Sequence, residues 1–182
     1  MIATGELVQV NDETLRDKFH RLLEEKKGTG PSDDSEVDEQ QLAALWGELG
    51  KAHLAANQAA QAVAPLERSV EIDGTDWQTL SALGIAYDYV GRPIEAQASY
   101  DRALAQSPQN PAVLNNVALS RALAGDLEGG IAILEQQTKR PAALAQVRQN
   151  LALLYALKGD LTKVERLANQ DLPERIVKNN LA

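Results

Sequence analysis

Apolar and small residues recur along the chain at a constant interval of 34 residues. One row consists of small residues: Gly50, Gly84, Ala118 and Ala152. The row directly before it consists of apolar residues: Leu49, Leu83, Val117 and Leu151. An interval of roughly 20 to 50 residues that persists without insertion is typical of stacked structural units. The pattern therefore predicts four consecutive repeats.

Each repeat contains a residue that tolerates a left-handed backbone, and this residue marks the break between two helices. The four residues at this position are Asn57, Gly91, Gly125 and Gly159. Glycine and asparagine adopt a positive φ at the least cost, so each is expected to end a first helix. Second helices then begin at Pro93 or after the expected N-caps Asp126 and Asp160, and Asn110-Pro111 is a similar helix start.

These signals together predict an all-α solenoid of four helix pairs. The first helices are expected at about 39–56, 76–90, 111–124 and 143–158. The second helices are expected at about 59–72, 93–106, 127–138 and 161–170. Leu172-Pro173 begins a last short helix, about 173–181, which is expected to cover the apolar surface that the final repeat leaves open.

The N-terminal part has a different pattern. Residues 11–27 form a predicted amphipathic helix in which Leu15, Phe19, Leu22 and Leu23 lie on one face. Residues 28–38 resemble an acidic, flexible linker. We therefore divide the chain into 1–38, the helix and linker, and 39–182, the repeat domain. The helix either folds back on the solenoid or stays poorly ordered, or it docks on a partner or a second copy.

Charge and composition exclude several functions. The formal net charge is −8, and residues 1–40 hold 11 acidic and 5 basic side chains. Binding to nucleic acid or to anionic lipid is not expected, because phosphates require a basic surface. No apolar stretch approaches the roughly 18 residues of a membrane span. The sequence begins without a secretory signal, and it contains no cysteine.

The residues that bear reactive side chains do not form a catalytic or metal-binding pattern. His53 is expected to pack between paired helices, and His20 lies on the predicted N-terminal helix. The acidic group in 33–39 lacks the spacing of a calcium loop. The glycine pairs near 28 and 129 lack the strand and lysine of a phosphate loop. We therefore expect no enzymatic activity, no metal and no cofactor.

The second repeat resembles the tetratricopeptide-repeat (TPR) consensus. Its matching residues are Leu80, Leu83, Gly84, Tyr87, Ala96, Tyr100, Ala103 and Pro108. The resemblance extends over about 42–170 and implies a right-handed superhelix that acts as a protein–protein interaction scaffold. Later repeats diverge from the consensus: Gly130 and Val164 replace its alanine, and Arg121 and Gln137 replace its aromatic and small residues. This divergence predicts looser packing at Gly130.

In TPR proteins the first helix of each pair lines a concave groove that binds a protein or peptide segment. Mapped onto this sequence, the resemblance implies a groove formed by Gln78, Ser81, Ile85, Asp88, Tyr89, Asn115, Asn116, Leu119, Leu123, Gln149, Asn150, Leu153 and Leu157. The first repeat would add Glu48, Lys51 and Leu54. Asn116 and Asn150 either contact the partner or link adjacent repeats. The groove lacks the repeated basic residues that a C-terminal carboxylate would require.

A narrower resemblance lies in about 76–182. The runs that begin at Pro111 and Val147, followed by Asp171-Leu-Pro-Glu, are similar to the TadD-type TPR protein of bacterial tight-adherence (Flp-type) pilus systems. That resemblance implies a periplasmic, outer-membrane-associated protein that supports assembly or placement of the pilus secretin. The chain lacks the family's lipobox cysteine. The alternative is a cytoplasmic adaptor or co-chaperone, and self-association remains open in either case.

Overall fold

The computed structural model describes residues 39–139 and 145–171, and these residues form helix pairs joined by short turns. In chain order the helices are α1 (Glu39–Ala55), α2 (Ala59–Ile72), α3 (Trp77–Tyr89), α4 (Pro93–Gln106), α5 (Pro111–Leu123), α6 (Leu127–Thr138), α7 (Ala145–Lys158) and α8 (Leu161–Asp171). The predicted all-α fold of four pairs is confirmed. The predicted helix at 11–27, the linker at 28–38 and the final helix at 173–181 lie outside the described residues.

The turns within the four pairs share one backbone conformation. The φ angles are 59° at Asn57, 74° at Gly91, 93° at Gly125 and 84° at Gly159. These values confirm that each first helix ends in the left-handed region, where glycine and asparagine are least strained. Because the same turn recurs in every pair, the second helix returns in the same direction along each first helix.

Side-chain caps fix where several helices begin. The Asn110 carboxamide oxygen accepts from the backbone N–H groups of Ala112 and Val113, which confirms the predicted start of α5. Asp126 accepts from the Gly129 N–H, and Asp160 accepts from the Lys163 N–H at 3.2 Å. Each cap satisfies an N–H group that has no partner within the helix itself. The predicted caps are therefore confirmed.

Small residues on the first helices allow close packing of each pair. A β-carbon added at Gly84 would lie 2.5 Å from Cε1 of Tyr100, and one at Gly50 would lie 2.4 Å from Cγ of Leu66. Such distances are far shorter than ordinary contacts between carbon atoms, which are about 3.5–4.0 Å. The glycines therefore form the surfaces against which Leu66 and Tyr100 are buried.

The expectation of looser packing at Gly130 is wrong. Gly130 is buried, and a β-carbon added there would lie 2.5 Å from the carbonyl oxygen of Ala118 and 3.2 Å from Cδ1 of Leu154. Helix α6 thus approaches the backbone of α5 directly, without an intervening side chain. The glycine does not leave a gap at a position where alanine would fit; it allows an approach that alanine would prevent.

The buried side chains form two clusters that meet within α5. Val113 and Val117 pack with the residues of α2, α3 and α4, whereas Ala118 packs with the residues of α6 and α7. Successive first helices also contact one another, α1 with α3, α3 with α5 and α5 with α7. The first helices therefore line one continuous side of the stack.

Two tyrosines link consecutive repeats in the same way. The hydroxyl of Tyr87 donates to Glu67 Oε1 at 2.6 Å, and the hydroxyl of Tyr155 donates to Glu135. Burial and the Glu67 carboxylate raise the pKa of Tyr87 to about 12, so its hydroxyl keeps its proton at neutral pH. The third repeat has Arg121 at this position, and a different set of polar groups joins it to the second repeat.

Candidate binding groove

A cavity of about 440 Å³ lies where the second repeat meets the third. Its lining residues are Ile85, Asp88, Tyr89, Tyr100, Asn116, Leu119, Ser120 and Leu123. Six of these eight belong to the groove that we predicted from the sequence. The other two, Tyr100 and Ser120, were not predicted to take part. The cavity brings residues of α3 and α5 together with one residue of α4.

Asp88 joins the two repeats at this cavity. Its Oδ2 accepts from the Tyr100 hydroxyl at 2.9 Å, and its Oδ1 accepts from the Ser120 hydroxyl at 2.9 Å. Burial raises the pKa of the Asp88 carboxyl, and the two hydrogen bonds act in the opposite direction. Burial and the nearby Asp88 carboxylate also raise the pKa of Tyr100. Tyr100 therefore acts as a hydrogen-bond donor at neutral pH.

Ser120 carries a weak sequence signal that we did not use. It is the hydroxyl-bearing member of the row Ala52, Ala86, Ser120 and Leu154, whose other members are apolar. A polar residue in an otherwise apolar row needs a hydrogen-bond partner, because an unpaired buried polar group is costly. The acceptor is Asp88, which is 32 residues earlier in the chain.

The predicted groove asparagines link adjacent repeats. Asn116 donates from Nδ2 to the Ser81 hydroxyl at 3.1 Å, and Asn150 donates from Nδ2 to Asn115 Oδ1 at 2.8 Å. Both acceptors are buried. Of the two roles considered for Asn116 and Asn150, these contacts correspond to the linkage of adjacent repeats. Ser81 and Asn115 contribute to the junctions between repeats instead of to an open surface.

We expect Asn116→Ala combined with Asn150→Ala to lower stability while the helical content is retained. Each lost hydrogen bond costs about 0.5–1.5 kcal/mol, and the buried acceptors left behind add to that cost. Thermal unfolding followed by far-UV circular dichroism should show a lower midpoint with an unchanged signal at low temperature. An unchanged midpoint would mean that these bonds do not hold the repeats together.

Partly buried and exposed apolar side chains form two rows along the side of the stack that the first helices line. One row consists of Ile85, Leu119 and Leu153, and the other consists of Tyr89, Leu123 and Leu157. The second row is the more open, with exposed fractions of 71% for Tyr89, 77% for Leu123 and 67% for Leu157. We call these six residues the apolar ribbon. It crosses the second, third and fourth repeats and borders the cavity.

The first repeat does not continue the apolar ribbon. The equivalent positions are Lys51 and Ala55, and the Lys51 ammonium forms an ion pair with Glu48 at 2.6 Å. Gln78 and Gln149, the remaining predicted groove residues, are exposed on α3 and α7. The ribbon thus ends at polar residues in the first repeat, and the exposed amides of Gln78 and Gln149 lie near the beginning of the first helices.

Of the two histidines, only His53 lies within the described residues. His53 is partly exposed, and its Nδ1 lies 2.9 Å from Gln58 Oε1 at the start of α2. Within 39–139 and 145–171, no group of three or more potential metal-ligating side chains is found. None of the helices in these ranges is long and apolar enough to cross a bilayer. The predicted acidic group at 33–39 and His20 lie outside the described ranges, apart from Glu39 at the start of α1.

This chain is similar to known proteins in the type of its repeat and in its fold. No protein-family model matches the sequence. The TPR repeat-containing thioredoxin TTL4 of Arabidopsis thaliana is 36% identical over 76 residues, which is 42% of this chain and 11% of that protein. The chain therefore spans only a small part of that curated relative.

Solved structures of similar fold cover most of the chain. Pseudomonas aeruginosa pilF matches with a TM-score of 0.61 and 24% identity, over 72% of this chain and 60% of pilF. MamA matches with a TM-score of 0.66 and 16% identity, over 91% of this chain and 92% of MamA. A tetratricopeptide repeat protein from Parabacteroides merdae matches with a TM-score of 0.67 and 15% identity, over 88% of this chain and 60% of that protein. The chain has the fold of a tetratricopeptide-repeat solenoid.

Proposed function

We propose that this protein is a non-catalytic scaffold that binds an apolar segment of another protein along the apolar ribbon. The observation that carries the proposal is the alignment of Tyr89, Leu123 and Leu157, three large and mostly exposed apolar side chains on consecutive first helices. Single exposed apolar residues are ordinary on a protein surface, whereas a contiguous row beside a cavity is typical of an interaction site.

The spacing of the ribbon favours an extended contact over a single anchoring point. The second, third and fourth repeats each supply one residue to each row, so a segment that follows the rows meets the same type of side chain at each of these three repeats. An amphipathic helix or an extended apolar strand satisfies this geometry. Burial of each leucine then contributes up to about 1.5–3 kcal/mol.

We expect Leu123→Asp combined with Leu157→Asp to weaken peptide binding about 100-fold, because two buried apolar contacts become charged. The probe is a peptide selected from a phage-displayed random library on the full 182-residue chain, and its affinity is measured by fluorescence anisotropy. Both leucines are exposed, so the unfolding midpoint should remain close to that of the wild type.

Ile94→Asp provides the matched control for this experiment. Ile94 is 81% exposed in the first turn of α4 and does not line the cavity. The variant therefore also replaces an exposed apolar side chain by a carboxylate, but outside the groove. Its affinity for the peptide should equal that of the wild type. Equal weakening by both variants, or full binding by the double variant, would contradict the proposed groove.

A more specific proposal is that the scaffold supports assembly of a tight-adherence pilus or a related secretion apparatus, including placement of its secretin. The support is the resemblance of the runs at 111–120, 147–160 and 171–174 to TadD-type proteins. Affinity purification from the native host would retain the secretin or another pilus-assembly protein. Retention of chaperones or soluble enzymes instead would favour the cytoplasmic adaptor.

A further inference from the structure

We infer that the segment bound at the cavity carries a lysine or arginine between its apolar residues, and that the Asp88 carboxylate accepts this cation. The inference rests on the proposed function, since it assigns the chemistry of the segment that the groove binds. It is carried by three observations: the unfilled acceptor sites of Asp88, the lack of an ion pair to Asp88 within 39–139 and 145–171, and the composition of the cavity walls.

Asp88 has more acceptor sites than the described part of the chain fills. An ionised carboxylate accepts about four hydrogen bonds, and two donors, Tyr100 and Ser120, bond to Asp88. Both donors belong to buried residues, and the Tyr100 side chain is only 1% exposed. Because Asp88 also lines the cavity, its remaining acceptor sites are available to a group that enters there.

No basic side chain of the described ranges forms an ion pair with Asp88. The ion pairs of these ranges involve other acidic groups, such as Glu67 with Arg92 and Glu128 with Lys158. Burial is the largest influence on the pKa of Asp88, and it acts against the ionised form. A carboxylate that is partly removed from water without a cation is costly, and a charge-assisted hydrogen bond reduces that cost.

The walls of the cavity suit the stem of a long basic side chain. Ile85, Leu119 and Leu123 provide apolar surface, and Tyr89 provides an aromatic ring at the mouth. Lysine and arginine bury their methylene groups against such surfaces while the charged head reaches a polar group. The face of an aromatic ring also attracts a cation. A basic side chain therefore matches both the walls and the carboxylate.

Other occupants fit the cavity less well. An acidic side chain would meet the like charge of Asp88, and the net charge of −8 would also oppose its approach. A purely apolar side chain would remove water from the carboxylate without replacing the lost hydrogen bonds. A neutral amide or hydroxyl could donate to Asp88, but it would leave the charge uncompensated.

The test is a double-mutant cycle on the full chain. A peptide is selected from a random phage-displayed library, and four versions are synthesised with lysine, glutamine, norleucine or glutamate at the position of its basic residue. We expect selected peptides to combine apolar residues with a basic one. Replacement of lysine by norleucine should weaken binding to the wild type about tenfold, and it should change binding to Asp88→Asn by less than about twofold.

Asp101→Asn is the matched control, because it removes the same charge from an exposed position on α4. Asp101 accepts from Gln97 and does not line the cavity. Replacement of lysine by norleucine in the peptide should therefore weaken binding to this variant by the same factor as binding to the wild type. An identical effect of Asp101→Asn and Asp88→Asn would mean that net charge, and not the cavity, selects the basic residue.

The outcomes separate this inference from the proposed function. Selected peptides without a basic residue that still lose affinity for Leu123→Asp with Leu157→Asp would overturn the role of Asp88 and leave the groove in place. Peptides insensitive to that double variant would overturn the groove itself. If Asp88→Asn fails to fold, the four peptides are compared on the wild type alone, where equal affinities of the lysine and norleucine versions overturn the inference.

Discussion

Gly84→Leu is expected to destabilise the solenoid by at least about 3 kcal/mol, at the upper end of the cost of overpacking a core. The first added carbon already falls 2.5 Å from the ring of Tyr100. That ring is only 1% exposed, and displacing it would break the hydrogen bond from its hydroxyl to Asp88. In thermal denaturation the midpoint should fall by at least about 6–12 °C.

Ala98→Leu is the control for this substitution. Ala98 is exposed on α4, so a leucine there adds the same carbons without a steric conflict. Its midpoint should change little, because substitutions at such surface positions are usually within about 0.5 kcal/mol. A midpoint for Gly84→Leu equal to that of Ala98→Leu would mean that the helix pair is not packed through Gly84.

The helices could be predicted from the sequence because their determinants are local. A residue with a left-handed backbone conformation, such as Gly91 or Gly125, ends a helix, and an N-cap such as Asn110 begins one. Both effects depend on a few neighbouring residues, and the interval of 34 residues repeats them in register. The bounds of the described helices therefore agree with the predicted ones to within two residues.

The groove could be predicted only in part, because the resemblance to the TPR consensus assigns residues to a face and not to a hydrogen-bond partner. The resemblance placed the residues of the apolar ribbon on the first helices, and their part in binding stays a prediction. It did not decide whether Asn116 points outward or back toward Ser81, since that choice depends on the distance between two repeats. The partly buried hydrogen bond from Ser120 to Asp88 also joins residues from different repeats, so no local pattern in the sequence revealed it.

Gly130 shows most clearly why comparison with a consensus fails at a packed position. In isolation, replacement of a helical glycine by alanine stabilises the helix by about 1 kcal/mol. On that basis, and on the expectation of loose packing, Gly130→Ala would raise stability. The structure predicts the opposite sign, because the added carbon would lie 2.5 Å from a backbone oxygen of α5, which cannot change rotamer.

We therefore expect Gly130→Ala to lower the free energy of unfolding by up to about 2 kcal/mol, as an overpacking cost of about 1–3 kcal/mol is only partly offset by the gain of about 1 kcal/mol in helix propensity. Chemical denaturation followed by circular dichroism measures this difference. Ala132→Gly, at an exposed position of the same helix, reports the propensity contribution alone and should cost about 1 kcal/mol. A Gly130→Ala protein more stable than the wild type would mean that α5 and α6 are farther apart than the structure places them.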